Sequence, residues 1–396
     1  MIKTLAVHVN SPTWPTGKRP PLSLRHITST DMNVMDMMLF IGCVAIPPHL
    51  SQVSLNAWWA WLRYITAFAS GNSFMLRAEY GDLDPHQKSV LSDDFGMGAS
   101  LSFLVEKLDL QTVFDGKYFV EFLAPTVSAH VAKIAKNGQF KTPDFIGKDS
   151  KGKWHVIECK GTQTSSDARE GQMTRGASQK ANIVFNRKSI SGQKLVSGLL
   201  IGRENGGFSS SLRIDDPEGD TEFEINDLNI AQAQEAGSRA TVGRALGVAG
   251  FPSSAYLIAS PYGTKLYDRE TVGEEEARRK DILASMRRSA AAELQASFAT
   301  APGRVTDGDR IGRIVTMELP VPISIGKKIF NHIEARLTVS KDVYERVQEA
   351  ALSEGGNSTD FVQSIPLEGF RRSGQRSFRQ LEIGKLFRGE LALRTL

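Results

Sequence analysis

The chain has 396 residues, 41% of them apolar and 23% charged, with a formal net charge of +4. That is the composition of a globular protein of two or three domains, and the small positive charge permits nucleic-acid binding without arguing for it. Two cysteines, Cys43 and Cys159, are too few for a disulfide framework or a zinc module, so a reducing, cytoplasmic location is expected.

At the N-terminus, Met1-Ile2-Lys3-Thr4 leads into Val7-His8-Val9-Asn10 and a Pro-rich stretch without the apolar core of a signal peptide. Met37–Ile46 is apolar but too short to cross a bilayer, and the run Leu55–Phe68 is short and contains Arg63, so no membrane partner is expected. Trp58, Trp59 and Trp61 in that run read either as base-stacking residues or as aromatics packed in a helix interface. Further on, Asp94, Met97, Gly98, Leu101, Val105 and Leu108 recur at helical spacing. They predict a helix whose stripe packs on a sheet with Asp94 at its N-terminal end; Glu106 falls off the stripe. Asp93 or Asp94 reads equally well as the cap of that helix.

Residues 141–147 and 154–160 then read as two strands around the turn Lys148-Asp149-Ser150-Lys151-Gly152-Lys153, which predicts a hairpin. Alternation along the second strand puts Trp154, Val156, Glu158 and Lys160 on one face and His155, Ile157 and Cys159 on the other. If Asp144 faces the same way on the first strand, two carboxylates and an ammonium converge, with the Cys159 backbone carbonyl as a further oxygen. Oxygen donors of this kind suit Mg²⁺, which lowers the pKa of bound water and offsets charge developing on a phosphate. The competing reading is an amphipathic hairpin with a Glu–Lys surface pair.

Downstream, the acidic turn Asp215-Asp216-Pro217-Glu218-Gly219-Asp220 lacks the ligand spacing of a calcium loop and reads as a linker. Glu274, Glu275 and Glu276 precede Arg278, Arg279 and Lys280 by four residues each, which predicts a long amphipathic helix with Ile282, Leu283, Met286, Ala290, Leu294 and Phe298 on its apolar face. Arg313–Ile325 and Lys328–Val339 predict a hairpin, and Val343–Leu352 a short helix. The tail from Phe370 carries Arg371, Arg372, Arg376 and Arg379 among apolar residues. It reads either as a tract following a phosphate backbone or as a packed element with a solvated basic face. There is no internal repeat, and the Gly-rich stretches lack the Gly-Lys-Ser/Thr ending of a phosphate-binding loop.

With Pro143-Asp144 as a first element and Glu158-Cys159-Lys160 as a second, the chain resembles the PD-(D/E)xK superfamily, the restriction-endonuclease-like nucleases. The resemblance implies an α/β fold with an αβββαβ core, a central mixed sheet flanked by helices, and here additional N- and C-terminal α+β regions. Its core would span about residues 93–202, with 98–108 as first helix, Tyr118–Leu123 as first strand, the two motif strands, a helix over Asp167–Ile183 and a closing strand over Leu195–Ile201. The resemblance also implies Asp144, Glu158 and the Cys159 carbonyl as metal ligands, Lys160 as the catalytic cation, and Mg²⁺ as cofactor with Mn²⁺ able to substitute. Asp94 stands where some members add a carboxylate. Gln163, just past the motif, and Gln179, on the following helix, could bond substrate or water; in one branch a tyrosine follows such a glutamine by a helical turn, but Ile183 occupies that place here.

The expected organisation is therefore an aromatic N-terminal region (1–80), a nuclease-like core (81–212) and a C-terminal α+β region for substrate recognition or oligomerisation (213–396). The expected function is Mg²⁺-dependent hydrolysis of a nucleic acid, DNA in preference to RNA, in the manner of restriction or anti-phage defence enzymes, with a second copy or a partner protein as a further partner. The alternative is a non-catalytic nucleic-acid-binding or assembly subunit on a nuclease-like scaffold.

Overall fold

A computed structural model of the chain describes residues 1–48, 61–123, 142–181, 183–185, 189–218, 223–225, 229–263, 273–296, 303–352, 362, 365 and 369–395. Its strands are β1 (Ile2–Val9), β2 (Ser29–Asn33), β3 (Leu110–Asp115), β4 (Phe145–Asp149), β5 (Trp154–Thr162), β6 (Ile183–Phe185), β7 (Ser191–Leu200), β8 (Ser211–Asp215), β9 (Phe223–Ile225), β10 (Arg304–Asp307), β11 (Arg310–Ile325), β12 (Lys328–Ser340), β13 (Phe370–Gln375), β14 (Phe378–Ile383) and β15 (Phe387–Arg394). The described helices are α1 (Val34–Cys43), α2 (Pro85–Lys107), α3 (Gly116–Leu123), α4 (Ser166–Ala181), α5 (Ile230–Ala249), α6 (Pro252–Ala259), α7 (Glu274–Gln295) and α8 (Lys341–Leu352).

The protein is α/β, and its central feature is a seven-stranded mixed sheet in the order β2-β1-β8-β7-β5-β4-β3. Around it, α2, β3, β4, β5, α4 and β7 come in chain order as helix, three antiparallel strands, helix and a strand parallel to β5, with α3 inserted between β3 and β4 and β6 between α4 and β7. The N-terminal strands extend this same sheet, β1 pairing in parallel with β8 through Ala6 opposite Ser211. A six-stranded antiparallel sheet, β10-β11-β12-β15-β14-β13, is built from the C-terminal residues, and β6 pairs with β9 apart from both. One apolar cluster joins the faces of the two large sheets, running from Leu5 and Val7 through α1 and α2 to Leu391 and Leu393.

The long helix α2 begins earlier than its apolar stripe suggests. Asp84 caps it, its carboxylate accepting from the His86 and Gln87 N–H groups at 2.8 and 3.0 Å, and Pro85 takes the first helical position. Asp93 and Asp94 are thus interior residues of the helix and cap nothing. Small residues set its approach to the sheet. Ser92, Gly96 and Ser100 recur every fourth residue and face β5 and β7: a Cβ on Gly96 would lie 2.8 Å from the Gly161 nitrogen, and Ser100 Oγ meets Ser197 Oγ at 2.7 Å.

Two expectations from the sequence are corrected here. Tyr118–Leu123 is not the first strand but most of α3, and the strand is β3, immediately before it. The aromatic and β-branched run suggested a strand, yet Asp115 accepts a hydrogen bond from the Tyr118 N–H at 2.6 Å and starts a helix. Tyr118, Phe119, Phe122 and Leu123 then bury one side, while Lys117 and Glu121 pair on the other at 3.7 Å. The second concerns Ile183, which opens β6 because α4 ends at Ala181.

Elsewhere periodicity translates directly. The β11–β12 hairpin turns at Gly326 (φ +63°), and α7 and α8 occupy the predicted helical stretches. Trp61 is a core residue, packed so closely on Gly42 that a Cβ there would meet its ring at 2.1 Å; Trp58, Trp59, Phe298, Gly219 and Asp220 lie outside the described residues. No helix among the described residues is long and apolar enough to cross a membrane.

Candidate active site

The hairpin β4–β5 carries the site. Phe145 opposes Ile157 and Ile146 opposes Val156, so the apolar residues of the two strands stack on both faces of a fully covered sheet. Ile157 and Cys159 join the cluster beneath α2, whereas Trp154 and Val156 join the aromatic cluster around Phe114, Phe119 and Phe185. Glu158 and Lys160 lie on this second face, under α4. The turn is held by Asp149, which accepts from the Lys151 and Lys153 N–H groups at 2.9 and 2.8 Å and meets His155 Nε2 at 3.2 Å. The Gln193 N–H donates to His155 Nδ1 at 3.1 Å, so the ring carries its proton on Nε2 towards Asp149.

Asp144 precedes β4 and is locked to β5 by a reciprocal pair of hydrogen bonds. Its own N–H donates to Glu158 Oε2 at 3.0 Å, and its Oδ2 accepts from the Cys159 N–H at 2.7 Å. Lys160 Nζ forms a close ion pair with Glu158 Oε1. Two carboxylates and an ammonium therefore meet at one end of the hairpin, with the Cys159 backbone between them. Burial, then the Asp144 charge, pushes the Glu158 carboxyl up to about 8, and burial likewise raises Asp144. Burial alone would lower Lys160, but the two acids outweigh it and hold its pKa above the ordinary value of 10.5. Lys160 thus stays protonated at neutral pH.

Gly176 of α4 makes room for this cluster. A Cβ there would lie 3.0 Å from Glu158 Cγ and 3.3 Å from Lys160 Cε. The sequence offered a signal for it in a glycine placed mid-helix, where glycine is unfavourable unless packing requires it.

Among the remaining predicted residues, Asp94 lies on a different side of α2 from the residues that meet β5. It sits two positions from both Ser92 and Gly96, on the side of α2 away from β5, where the next turn packs Gly98 against Ile41 and Met37 of α1. The apolar stripe used to orient the helix is the α1-facing stripe. The acid on the site's side is Asp93, whose carboxyl burial raises and Lys160 lowers, and whose charge in turn raises Asp144. The small-residue stripe Ser92-Gly96-Ser100 was the available signal. Gln163 donates its amide N–H to the Lys88 carbonyl at 3.2 Å and to Ser92 Oγ at 3.1 Å, tying the end of β5 to the first turns of α2. Gln179 reaches the Thr142 carbonyl at 3.5 Å, just before Asp144.

For a metal, the donor set comprises the Asp144 and Glu158 carboxylates and the Cys159 carbonyl, all hard oxygens. Glu158 Oε1 is buried and, apart from the Lys160 ion pair, has no hydrogen bond of regular geometry. Asp144 Oδ1 accepts none from the described residues. No group of three or more His, Cys, Asp or Glu side chains among the described residues could hold a metal by itself. The residues fit a cation that keeps several waters and shares its shell with substrate, as Mg²⁺ does, and do not fit one that needs an all-protein cage.

No family model, no curated protein and no solved structure matches this chain.

Proposed function

We propose that the chain is a divalent-metal-dependent nuclease with a restriction-endonuclease-like core formed by α2, β3, β4, β5, α4 and β7. The observation that carries this reading is the convergence of Asp144, Glu158 and Lys160 on one hairpin end, held by reciprocal backbone hydrogen bonds. Mg²⁺ or Mn²⁺ bound to the two carboxylates and the Cys159 carbonyl would supply a water of lowered pKa and offset phosphate charge. Asp144 is aimed by the Cys159 N–H and Glu158 by the Asp144 N–H. Lys160, charged at neutral pH, serves as a cation that orients the nucleophile or stabilises the transition state, and not as the base. Asp93 adds a negative charge near Asp144 and Lys160. The substrate is a nucleic-acid phosphodiester, DNA in preference to RNA.

Asp144→Asn and Glu158→Gln test the reading. Labelled DNA and RNA, single- and double-stranded, are incubated with each variant in Mg²⁺, Mn²⁺ or EDTA. Both variants should abolish cleavage and keep the wild-type fold, because each keeps the side chain's size and an oxygen to accept the Cys159 or Asp144 N–H; full Mg²⁺-dependent cleavage by either sinks the assignment. A protein that binds nucleic acid but cleaves none of these substrates would favour a non-catalytic scaffold.

A further inference from the structure

Next to the acid–lysine cluster, beginning at Asp93 and at Gly161, the residue after Lys160, lies a cleft of about 600 Å³. Its floor is the segment Thr162–Thr164 leaving β5 and Ile201 beyond the end of β7. One wall is the first turn of α2, which contributes Lys88, and the other is the loop from Arg203 to Phe208. That loop is pinned: the Glu204 N–H donates to the Leu76 carbonyl and the Gly202 N–H to Ser210 Oγ, both at 2.8 Å. Asn205 takes φ +59° in a turn closed by the Gly206 N–H on the Arg203 carbonyl at 3.0 Å, and Gly207 presents bare backbone to open space.

Several side-chain groups of the lining have no partner among the described residues. Lys88 and Arg203 make no ion pair or side-chain hydrogen bond among the described residues, unlike Arg213, Arg239, Arg372 and Arg379, which all do. Gln172 Oε1 is buried in the lining without a hydrogen-bond partner, and the Gln163 side-chain oxygen has none among the described residues because only its nitrogen is engaged. Phe208 stands half-buried at the rim. Two cations without a partner among the described residues, the buried Gln172 amide oxygen and one aromatic face are the elements that bind a phosphate, a base edge and a base plane.

We infer that this cleft seats one unpaired nucleotide of a single strand, flanking the phosphodiester held at Asp144 and Glu158; the inference rests on the nuclease reading above. At about 600 Å³ the cleft falls in the range of about 300–1,000 Å³ typical of pockets that enclose one small molecule, a size that suits one nucleotide. Stacking on Phe208 needs a base whose plane is exposed, which is an unpaired base. Lys88 and Arg203 neutralise the backbone, the amide oxygens of Gln163 and Gln172 accept from the base or sugar, and Phe208 stacks. A duplex would have to unpair at this position to be cut.

A 5′-phosphorylated trithymidylate titrated calorimetrically into the full chain in EDTA, where nothing is cleaved, tests the cleft. The double variant Lys88→Gln, Arg203→Gln alters one half-buried and one exposed side chain, neither with a hydrogen bond or ion pair to lose among the described residues, and should melt close to the wild-type temperature. It should bind the trinucleotide at least 10-fold more weakly, and its log-affinity against log-salt slope should be shallower by about 1.4, two contacts at about 0.7 each for a single strand. A closed hairpin duplex of equal charge should compete poorly. The inference is overturned if the trinucleotide does not bind, if the double variant binds it as tightly as the wild type, or if the duplex competes equally. Failure of the nuclease reading looks different: trinucleotide binding would persist and depend on Lys88 and Arg203, yet no substrate would be cut in Mg²⁺ or Mn²⁺, with Asp144→Asn indistinguishable from wild type.

Discussion

Lys160 and Glu158 illustrate how two side chains on one strand acquire properties neither has in water. Their strand places them two residues apart on one face; α4 and the sheet exclude solvent; and the neighbouring acids, Asp144 first, keep the ammonium charged. Lys160→Ala should therefore lower single-turnover cleavage by about 10²–10⁴-fold, the range of a positioned catalytic group, with little change in nucleic-acid affinity. A variant that loses binding but retains its rate would make the lysine a phosphate clamp. Glu158 predicts a pH dependence of stability. Its folded pKa of about 8 lies above the ordinary 4.5, so between these values the folded protein binds a proton that the unfolded chain has released. Stability of the metal-free protein should fall as pH rises from about 4.5 to 8 and then level off, and Glu158→Gln should flatten this slope in denaturant titrations. A wild-type curve that rises across this window would show that Glu158 is not buried as an acid.

At the scale of elements, the approach of α2 to β5 is set by the absence of side chains. A Cβ on Gly161 would fall 1.8 Å from the Ser92 carbonyl oxygen, a backbone atom that cannot step aside. Gly161→Ala should cost about 1–3 kcal/mol or more by overpacking, visible as a lower melting temperature, and should displace Asp93 and Gln163 from the end of β5. If the variant melts at the wild-type temperature, α2 does not pack as closely as described. The same element shows why periodicity alone misassigned a residue. An amphipathic helix covered on two sides has two stripes, and the more apolar one, Met97-Leu101-Val105, is not the one that meets the site.

At the scale of the molecule, the C-terminal sheet is joined to the N-terminal part by charge as well as by apolar contact. Arg379 holds Asp36 of α1 in a bidentate pair at 2.6 and 2.7 Å, and Arg372 reaches Glu106 at 2.5 Å and the Ser102 carbonyl at 3.3 Å. Between them Phe370 packs on Phe40. The two arginines are thus occupied within the chain, which favours the packed reading of the basic tail over a phosphate track for these two residues. Arg379→Ala would leave Asp36 buried and unpaired, a loss of about 3–5 kcal/mol. It should lower the melting temperature and leave the salt dependence of nucleic-acid binding unchanged; a shallower salt slope at constant stability would return Arg379 to the substrate path.

What the sequence determined by itself is whatever depends on local period and local chemistry. The β4–β5 hairpin, the shared face of Glu158 and Lys160, the burial of Cys159, the long hairpin turning at Gly326 and the helices α7 and α8 follow from alternation, helical spacing and turn residues, which operate over a few residues. What the tertiary structure decided is whatever depends on which surface meets which. Asp93 rather than Asp94 faces the site because α2 is sandwiched between α1 and the sheet. The run after Asp115 is helical because a side-chain cap overrides strand propensity. The cleft of Lys88 and Arg203 exists because residues 115 positions apart in sequence are brought to opposite walls by the pairing of β5 with β7. No local pattern encodes such a meeting, since it is fixed by the packing of several elements at once.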